Sequence, residues 1–78
     1  MEKYPTKKIR EVYRSKLPTN SFVEIARMAN VSQPLVSSWF SGKSNNVQIE
    51  YAILRYISKI RKEREELLIE AGLEDLLK

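Results

Sequence analysis

The chain contains neither cysteine nor histidine. Without thiols, no disulfide can staple the fold, and no thiolate can hold a metal or attack a substrate. Without imidazole, the commonest general base and the usual zinc ligand are missing as well. Glycine occurs twice and tryptophan once, and there is no low-complexity stretch, which argues against disorder. No apolar run approaches the roughly 18 residues a membrane span needs. No signal-peptide pattern opens the chain, so a cytoplasmic location is expected. Catalysis would have to rest on paired carboxylates, and Glu63, Glu65, Glu66 and Glu70 have the spacing of an exposed helix surface instead. An enzyme is therefore not expected, nor is a cofactor or a small-molecule ligand.

What is present is a short, basic, moderately apolar chain. It has 78 residues, 42% of them hydrophobic, and a net charge of +4 from 14 Lys and Arg against 10 Asp and Glu. A domain of this size buries only about 60% of the surface its unfolded chain exposes, so one core is all it can build. The charge is unevenly spread. Residues 1–62 carry 12 basic and 4 acidic side chains, and residues 63–78 carry 2 basic and 6 acidic ones. A basic body suits a polyanionic partner, nucleic acid being the commonest. The same charge also serves ordinary solubility.

The pattern predicts helices separated by short turns, an all-α fold. Thr6 is a candidate N-cap, with Pro5 an alternative helix start. Ile9, Val12, Tyr13 and Leu17 recur with helical spacing, leaving Lys7, Lys8, Arg10, Arg14 and Lys16 for the remaining surface. Leu17-Pro18-Thr19-Asn20 breaks that helix. Ser21-Phe22-Val23-Glu24 has the form of a capping box, followed by a short helix that buries Phe22, Ile25 and Ala26. Asn30 suits the left-handed conformation of a tight turn. Ser32 is a second N-cap candidate, with Gln33 and Pro34 in the first turn of a third helix. Leu35, Val36, Trp39 and Phe40 share one side of it. Gly42 is placed to terminate it, and Asn45 or Asn46 to cap a fourth helix. From Val47 to Ala71 nothing is proline or glycine. Ile49, Ile53, Tyr56, Ile57 and Ile60 form a stripe that Leu67, Leu68 and Ala71 could extend. The polar stretch Arg61–Glu66 is either a solvated helical segment or a junction between two helices. Gly72 and Leu73 are placed for a Schellman turn, and Leu73, Leu76 and Leu77 form a last apolar group.

The informative stretch runs from Phe22 to Ser41, where a short helix, a tight turn and a second short helix fit in about twenty residues and must cross steeply. Residues 21–46 resemble the helix-turn-helix of the phage-repressor and Cro class, the lambda-repressor-like DNA-binding family. The resemblance rests on the small Ala26, on Val31-Ser32-Gln33 opening the second helix, and on Val36-Ser37-Ser38-Trp39 closed by Ser41-Gly42-Lys43. More loosely it takes in helices at 6–16 and 47–60. Two positions depart from the family: Asn30 stands where glycine is usual, and Phe22 where several repressors carry a phosphate-contacting glutamine. The resemblance implies a compact four- to five-helix domain over residues 1–60, with the motif at 21–41 and a helical extension over 61–78. It also implies sequence-specific binding of double-stranded DNA.

Candidate contacts follow. With Leu35, Val36, Trp39 and Phe40 inward, Pro34, Ser37, Ser38 and Ser41 face outward and Gln33 projects from the N-terminal end. In such a motif this face enters the major groove. A glutamine amide can pair bidentately with adenine, and serine hydroxyls can donate or accept at several bases. By the resemblance, Gln33 occupies the place of the family's adenine-reading glutamine. Ser37 and Ser38 come next, and Pro34 offers only apolar contact. The alternative is a merely solvated face of a core helix. Backbone contacts are expected from Lys43, Ser44 and Asn45, from the helix starts at Ser21 and Asn46, and from Ser41 and Arg27. Lys3, Lys7 and Lys8 are candidates for a basic arm. Trp39 is expected as a buried anchor, and Tyr51 and Tyr56 as core or interface residues.

Beyond residue 60, the leucines and Ile69 would leave an apolar patch on a monomer, and such patches mark partner surfaces. A homodimer contact is the expectation there, with fold-back onto the chain's own core as the alternative. The functional expectation is a small transcriptional repressor acting as a homodimer on a palindromic operator. The competing class is a protein–protein module, antitoxin-like or adaptor.

Overall fold

The computed structural model describes residues 6–77. The expectations placed on Lys3 and Pro5, and the final Lys78 of the extension, lie outside the described residues. Four α-helices follow in order: α1 (Lys7–Ser15), α2 (Ser21–Ala29), α3 (Gln33–Phe40) and α4 (Val47–Glu70), then a 3-10 turn at Glu74–Leu77. No strand occurs among the described residues, so the fold class is all-α.

Local chemistry accounts for most of the boundaries. Thr6 caps α1, its hydroxyl oxygen accepting from the Ile9 N–H at 3.2 Å. Asn46 caps α4, its Oδ1 accepting from the Gln48 N–H at 2.8 Å. Three helix ends close by the same device. After α2, Asn30 is left-handed (φ 57), and the Val31 N–H reaches the Ala26 carbonyl at 2.9 Å. After α3, Gly42 (φ 85) lets the Lys43 N–H reach Ser38 O at 2.9 Å. After α4, Gly72 (φ 76) lets the Leu73 N–H reach Leu68 O at 2.7 Å. Each is a Schellman closure, in which a left-handed residue turns the chain back onto the last helical carbonyls.

The capping box at Ser21 does not form. Ser21 is already the first residue of α2, and Asn20 before it is left-handed (φ 68) with no side-chain cap bond. Ser21 is buried, and its hydroxyl donates to the Pro18 carbonyl. The turn after the proline leaves that carbonyl without a helical partner, and the serine satisfies it. Glu24 instead pairs with Arg27 at 3.1 Å on the surface of α2. Ser32 does hold the N-cap position of α3, but its hydroxyl makes no cap bond.

The core comprises Ile25 and Ala26 of α2, Val36 and Trp39 of α3, and Ile49, Ala52 and Ile53 of α4. Burying a side chain of the size of Ile25, Ile49 or Ile53 contributes about 1.5–3 kcal/mol each. Tyr13, Leu17, Phe22, Leu35, Phe40, Tyr56 and Ile57 pack around it, half-buried. The polar stretch Arg61–Glu66 is helical: α4 runs through it without a break, aided by an exposed Arg61–Glu65 pair one turn apart at 3.4 Å. The boundary expected at residue 60 therefore falls inside a continuous helix.

The face that α1 buries differs from the expected stripe. Ile9 and Val12 are exposed, at 42% and 50%. The inward face carries Arg10, Tyr13 and Leu17, which share the i, i+3, i+7 spacing. The helix is turned by about one residue position from the purely apolar solution. The cause is Arg10, which is 4% exposed. Its guanidinium lies over the Trp39 ring, 4.4 Å from the centroid. It donates to the Trp39 carbonyl, to Ser44 O at 2.9 Å and to Asn45 Oδ1 at 2.6 Å.

Replacing Arg10 with methionine removes its three hydrogen bonds to the Trp39 and Ser44 carbonyls and Asn45 Oδ1 together with the cation–π contact, an expected loss of about 2–4 kcal/mol. Arg10→Lys should recover little of it, because an ammonium cannot reproduce the planar fork. Urea unfolding of the two variants measures both. Stability within experimental error of the parent chain would show that Arg10 does not anchor α1.

Candidate nucleic-acid interface

The orientation of α3 follows from its two buried residues. Val36 is 0% and Trp39 1% exposed, and with a period of 3.6 residues this fixes the opposite face. Gln33, Pro34, Ser37 and Ser41 are exposed there, while Ser38 is half-buried at the edge. The Ser41 hydroxyl donates to the Ser38 carbonyl at 3.0 Å, so it is partly committed to its own helix. Gln33 stands at the leading end of α3, Ser37 one turn further along.

Trp39 holds this helix from several sides. Tyr13 stacks parallel to it at 6.1 Å, and Phe40 meets it edge-on at 5.2 Å. Phe40 in turn stacks on Phe22 at 5.0 Å. Aromatic pairs in these arrangements add about 0.5–1.5 kcal/mol each beyond their area. Phe22, the departure from the family's glutamine, thus serves to lock the start of α2 against the end of α3. Trp39 lies in the core as expected, Tyr56 is half-buried, and Tyr51 is exposed at 49%.

Two polar clusters flank the outward face of α3. One is a cleft at the start of α2, lined by Arg14, Pro18, Asn20, Phe22 and Gln33. Arg14 lies over the Phe22 ring, 5.5 Å from its centroid, which directs its guanidinium toward the entry of α2. Sequence reasoning left Arg14 on a generic basic surface. The signal available was its spacing of four residues from Arg10, which places both along one line of α1. Ser21 borders this cleft, but burial and its bond to Pro18 O withdraw the hydroxyl, so the expected side-chain contact from Ser21 is not available.

The other cluster is the loop after α3. Lys43 is exposed, its backbone N–H fixed to Ser38 O. Ser44 and Asn45 hold Arg10 through a carbonyl and Oδ1. The Asn46 N–H meets Ser44 Oγ at 3.4 Å, and Asn46 Oδ1 caps α4. The oxygen ends of both asparagines are therefore used internally, leaving their amide N–H groups as the donors suited to phosphate. Lys7 is three residues before Arg10 and so lies on the side of α1 that meets this loop, whereas Lys8, two residues away, is turned elsewhere. Both are exposed. Arg27 is exposed and shares the surface pair with Glu24, a contact of the kind worth about 0–1 kcal/mol and readily exchanged for another anion.

The Tyr13 hydroxyl donates to Glu50 Oε2 at 3.1 Å, tying α1 to the first turn of α4 beneath this loop. Burial, and then the hydrogen bond to Glu50 and the carboxylate's charge, push the phenol above its ordinary value of 10.0. The fold thus favours the neutral phenol. The associated stability is present below pH 10.0 and is lost as pH rises through the elevated folded value. Tyr13→Phe should cost about 1 kcal/mol at neutral pH. The stability gap between parent and variant should then narrow on raising the pH to about 11. Chemical denaturation across that range reads the gap, and a constant difference would show the bond contributes no linkage.

Comparison with known protein families, with curated proteins and with solved structures finds no match to this chain. Among the described residues, no helix is long and apolar enough to cross a membrane.

Proposed function

We propose that this protein is a sequence-specific double-stranded DNA-binding transcriptional regulator. In this reading it is a small lambda-repressor-like repressor that binds a palindromic operator as a homodimer. The observation that carries the reading is the division of α3: Val36 and Trp39 are buried while Gln33, Pro34 and Ser37 face solvent. On either side of that face stand groups suited to phosphate, Arg14 of α1 beside the start of α2 and Lys43 after α3.

Gln33 reads a base edge by a bidentate amide contact, with Ser37, Ser38 and Pro34 lining the adjoining bases. Lys43, Lys7, Arg14, Arg27 and the amides of Asn45 and Asn46 neutralise or donate to the sugar–phosphate chains and set the register. Ser44 acts mainly by holding Arg10 and the loop. Residues 60–77 supply the contact between protomers, so that two copies of α3 meet successive major grooves about 34 Å apart. Repression then follows from occupancy of the operator, in the cytoplasm.

Exposed leucines beyond residue 60 are also what a protein–protein module of the antitoxin or adaptor kind would present. Salt separates the two readings, since binding through several phosphates weakens steeply as salt rises and an apolar contact does not.

Selection of preferred duplexes from a random pool, followed by anisotropy titrations, tests the proposal. A repeated half-site motif should emerge. Gln33→Ala should weaken specific binding by about 1–3 kcal/mol and relax preference at one base pair. Lys43→Ala should weaken all sequences alike and flatten the salt slope by about one unit. A chain that enriches no motif, or a Gln33→Ala variant with unchanged site and affinity, overturns the assignment of the reading face.

A further inference from the structure

Past Ile60, α4 leaves the body of the fold while its apolar side continues. Leu67 is 63% exposed, and after the turn at Gly72, Leu73 and Leu76 are 49% and 60% exposed. Elsewhere on the same chain lies an apolar groove between the end of α1 and the middle of α4. Its floor is Leu17, Pro18, Ile57 and Ile60, and its rim is Lys16, Arg61 and Arg64. The arm and the groove complement each other. One offers leucines interleaved with Glu70, Glu74 and Asp75, the other an apolar floor edged by three cations.

The chain's own arm does not span this groove. The 3-10 turn packs back on α4, but its four residues cover only about 8 Å. At 1.5 Å per residue, Arg64 lies about 10 Å and Ile57 about 21 Å back along the helix from Ala71. No residue of the arm lines the groove, and Leu73, Leu76 and Leu77 remain exposed.

The geometry points to a second copy of this chain as the occupant. The acidic, leucine-bearing arm of each protomer docks in the basic-rimmed groove of the other, reciprocally about a two-fold axis. Leu76 and Leu77 meet Leu17, Pro18, Ile57 and Ile60, and Glu74 and Asp75 face Arg61, Arg64 and Lys16. Such an isologous contact uses both surfaces twice and leaves neither open. Arg61 exchanges its exposed pairing with Glu65 for the arm's carboxylates at little cost. The inference rests on the paired form invoked for operator binding, but not on DNA binding itself.

Sedimentation equilibrium of the full chain without DNA, at micromolar concentrations, tests it. The parent chain dimerises. The double variants Arg61→Glu/Arg64→Glu and Glu74→Arg/Asp75→Arg each weaken self-association by about tenfold or more, with unchanged helical circular dichroism. An equal mixture of the two restores the dimer, because each reversed groove then meets a reversed arm of opposite sign. Leu76→Asp, at a fully surface position, gives a folded monomer. If both double variants associate as the parent does, or their mixture stays monomeric, the arm-to-groove contact is wrong although pairing by another surface stands. A parent chain that is monomeric throughout overturns the paired form as well, while the duplex titrations judge the reading of α3 separately.

Discussion

The guanidinium of Arg10 is the contact on which the arrangement of the helices depends. Bringing a charge into a nearly water-free site costs several kcal/mol unless its donors are met. Here they are met by oxygen atoms at the end of α3 and in the loop after it: the Trp39 and Ser44 carbonyls and Asn45 Oδ1. The C-terminal end of α3 is also the negative end of its dipole, which favours a cation there. The face of Trp39 supplies a further attraction. One side chain thus ties α1 to the end of α3 and the loop that follows it, and it sets which way α1 is rotated. That rotation carries Lys7 toward the loop and Arg14 toward the start of α2, so a structural anchor also distributes the basic groups flanking α3.

Around this anchor the aromatic rings form a connected path from Tyr13 through Trp39 and Phe40 to Phe22. The path crosses the C-terminal end of α3 and couples it to the entry of α2, where Arg14 covers Phe22. The position usually polar in the resembling family is therefore recruited into packing. The turns complete the restraint. Space around Gly42 is open, so its requirement is conformational: a side chain at φ 85 would be strained whatever the room. Asn30 performs the same reversal with a side chain at φ 57, a cost that asparagine tolerates better than most residues.

Legibility in the sequence followed how local the cause was. The helices flanking Asn30 could be read because their ends depend on residues adjacent to them, and the inward side of α3 because four apolar residues leave one consistent rotation. The exposure of Gln33, Pro34 and Ser37 came with that rotation. The inward face of α1 could not be read, since Ile9, Val12, Tyr13 and Leu17 make an acceptable stripe. Only partners 29 or more residues away explain why an arginine displaces two of them. Ser21 failed for a different reason. Serine followed by glutamate three residues on fits a capping box equally well whether the hydroxyl accepts from the helix or donates backwards to Pro18, and the preceding proline turn decided the matter. The direction of Arg14 is not legible in the sequence, because it depends on a ring from another helix.

α4 links the core to the exposed C-terminal overhang. Ile49 and Ile53 are fully buried in the core, where α4 packs against α2, and the same unbroken helix carries the exposed leucines beyond residue 60. From Ile60 to Glu70 it extends about 15 Å, with neither proline nor glycine to provide a hinge. The buried core among the described residues ends at Ile53 and has little need of this length, and the apolar groups on it add nothing to monomer stability while they face water. In the proposed homodimer a rigid strut of this kind would transmit orientation: the surface holding two such helices together would also fix the angle and separation of the two copies of α3. The spacing of any half-sites the protein prefers would then be a property of helix geometry rather than of a flexible linker. Changes in the overhang would alter that spacing without touching the residues of α3 proposed to face DNA.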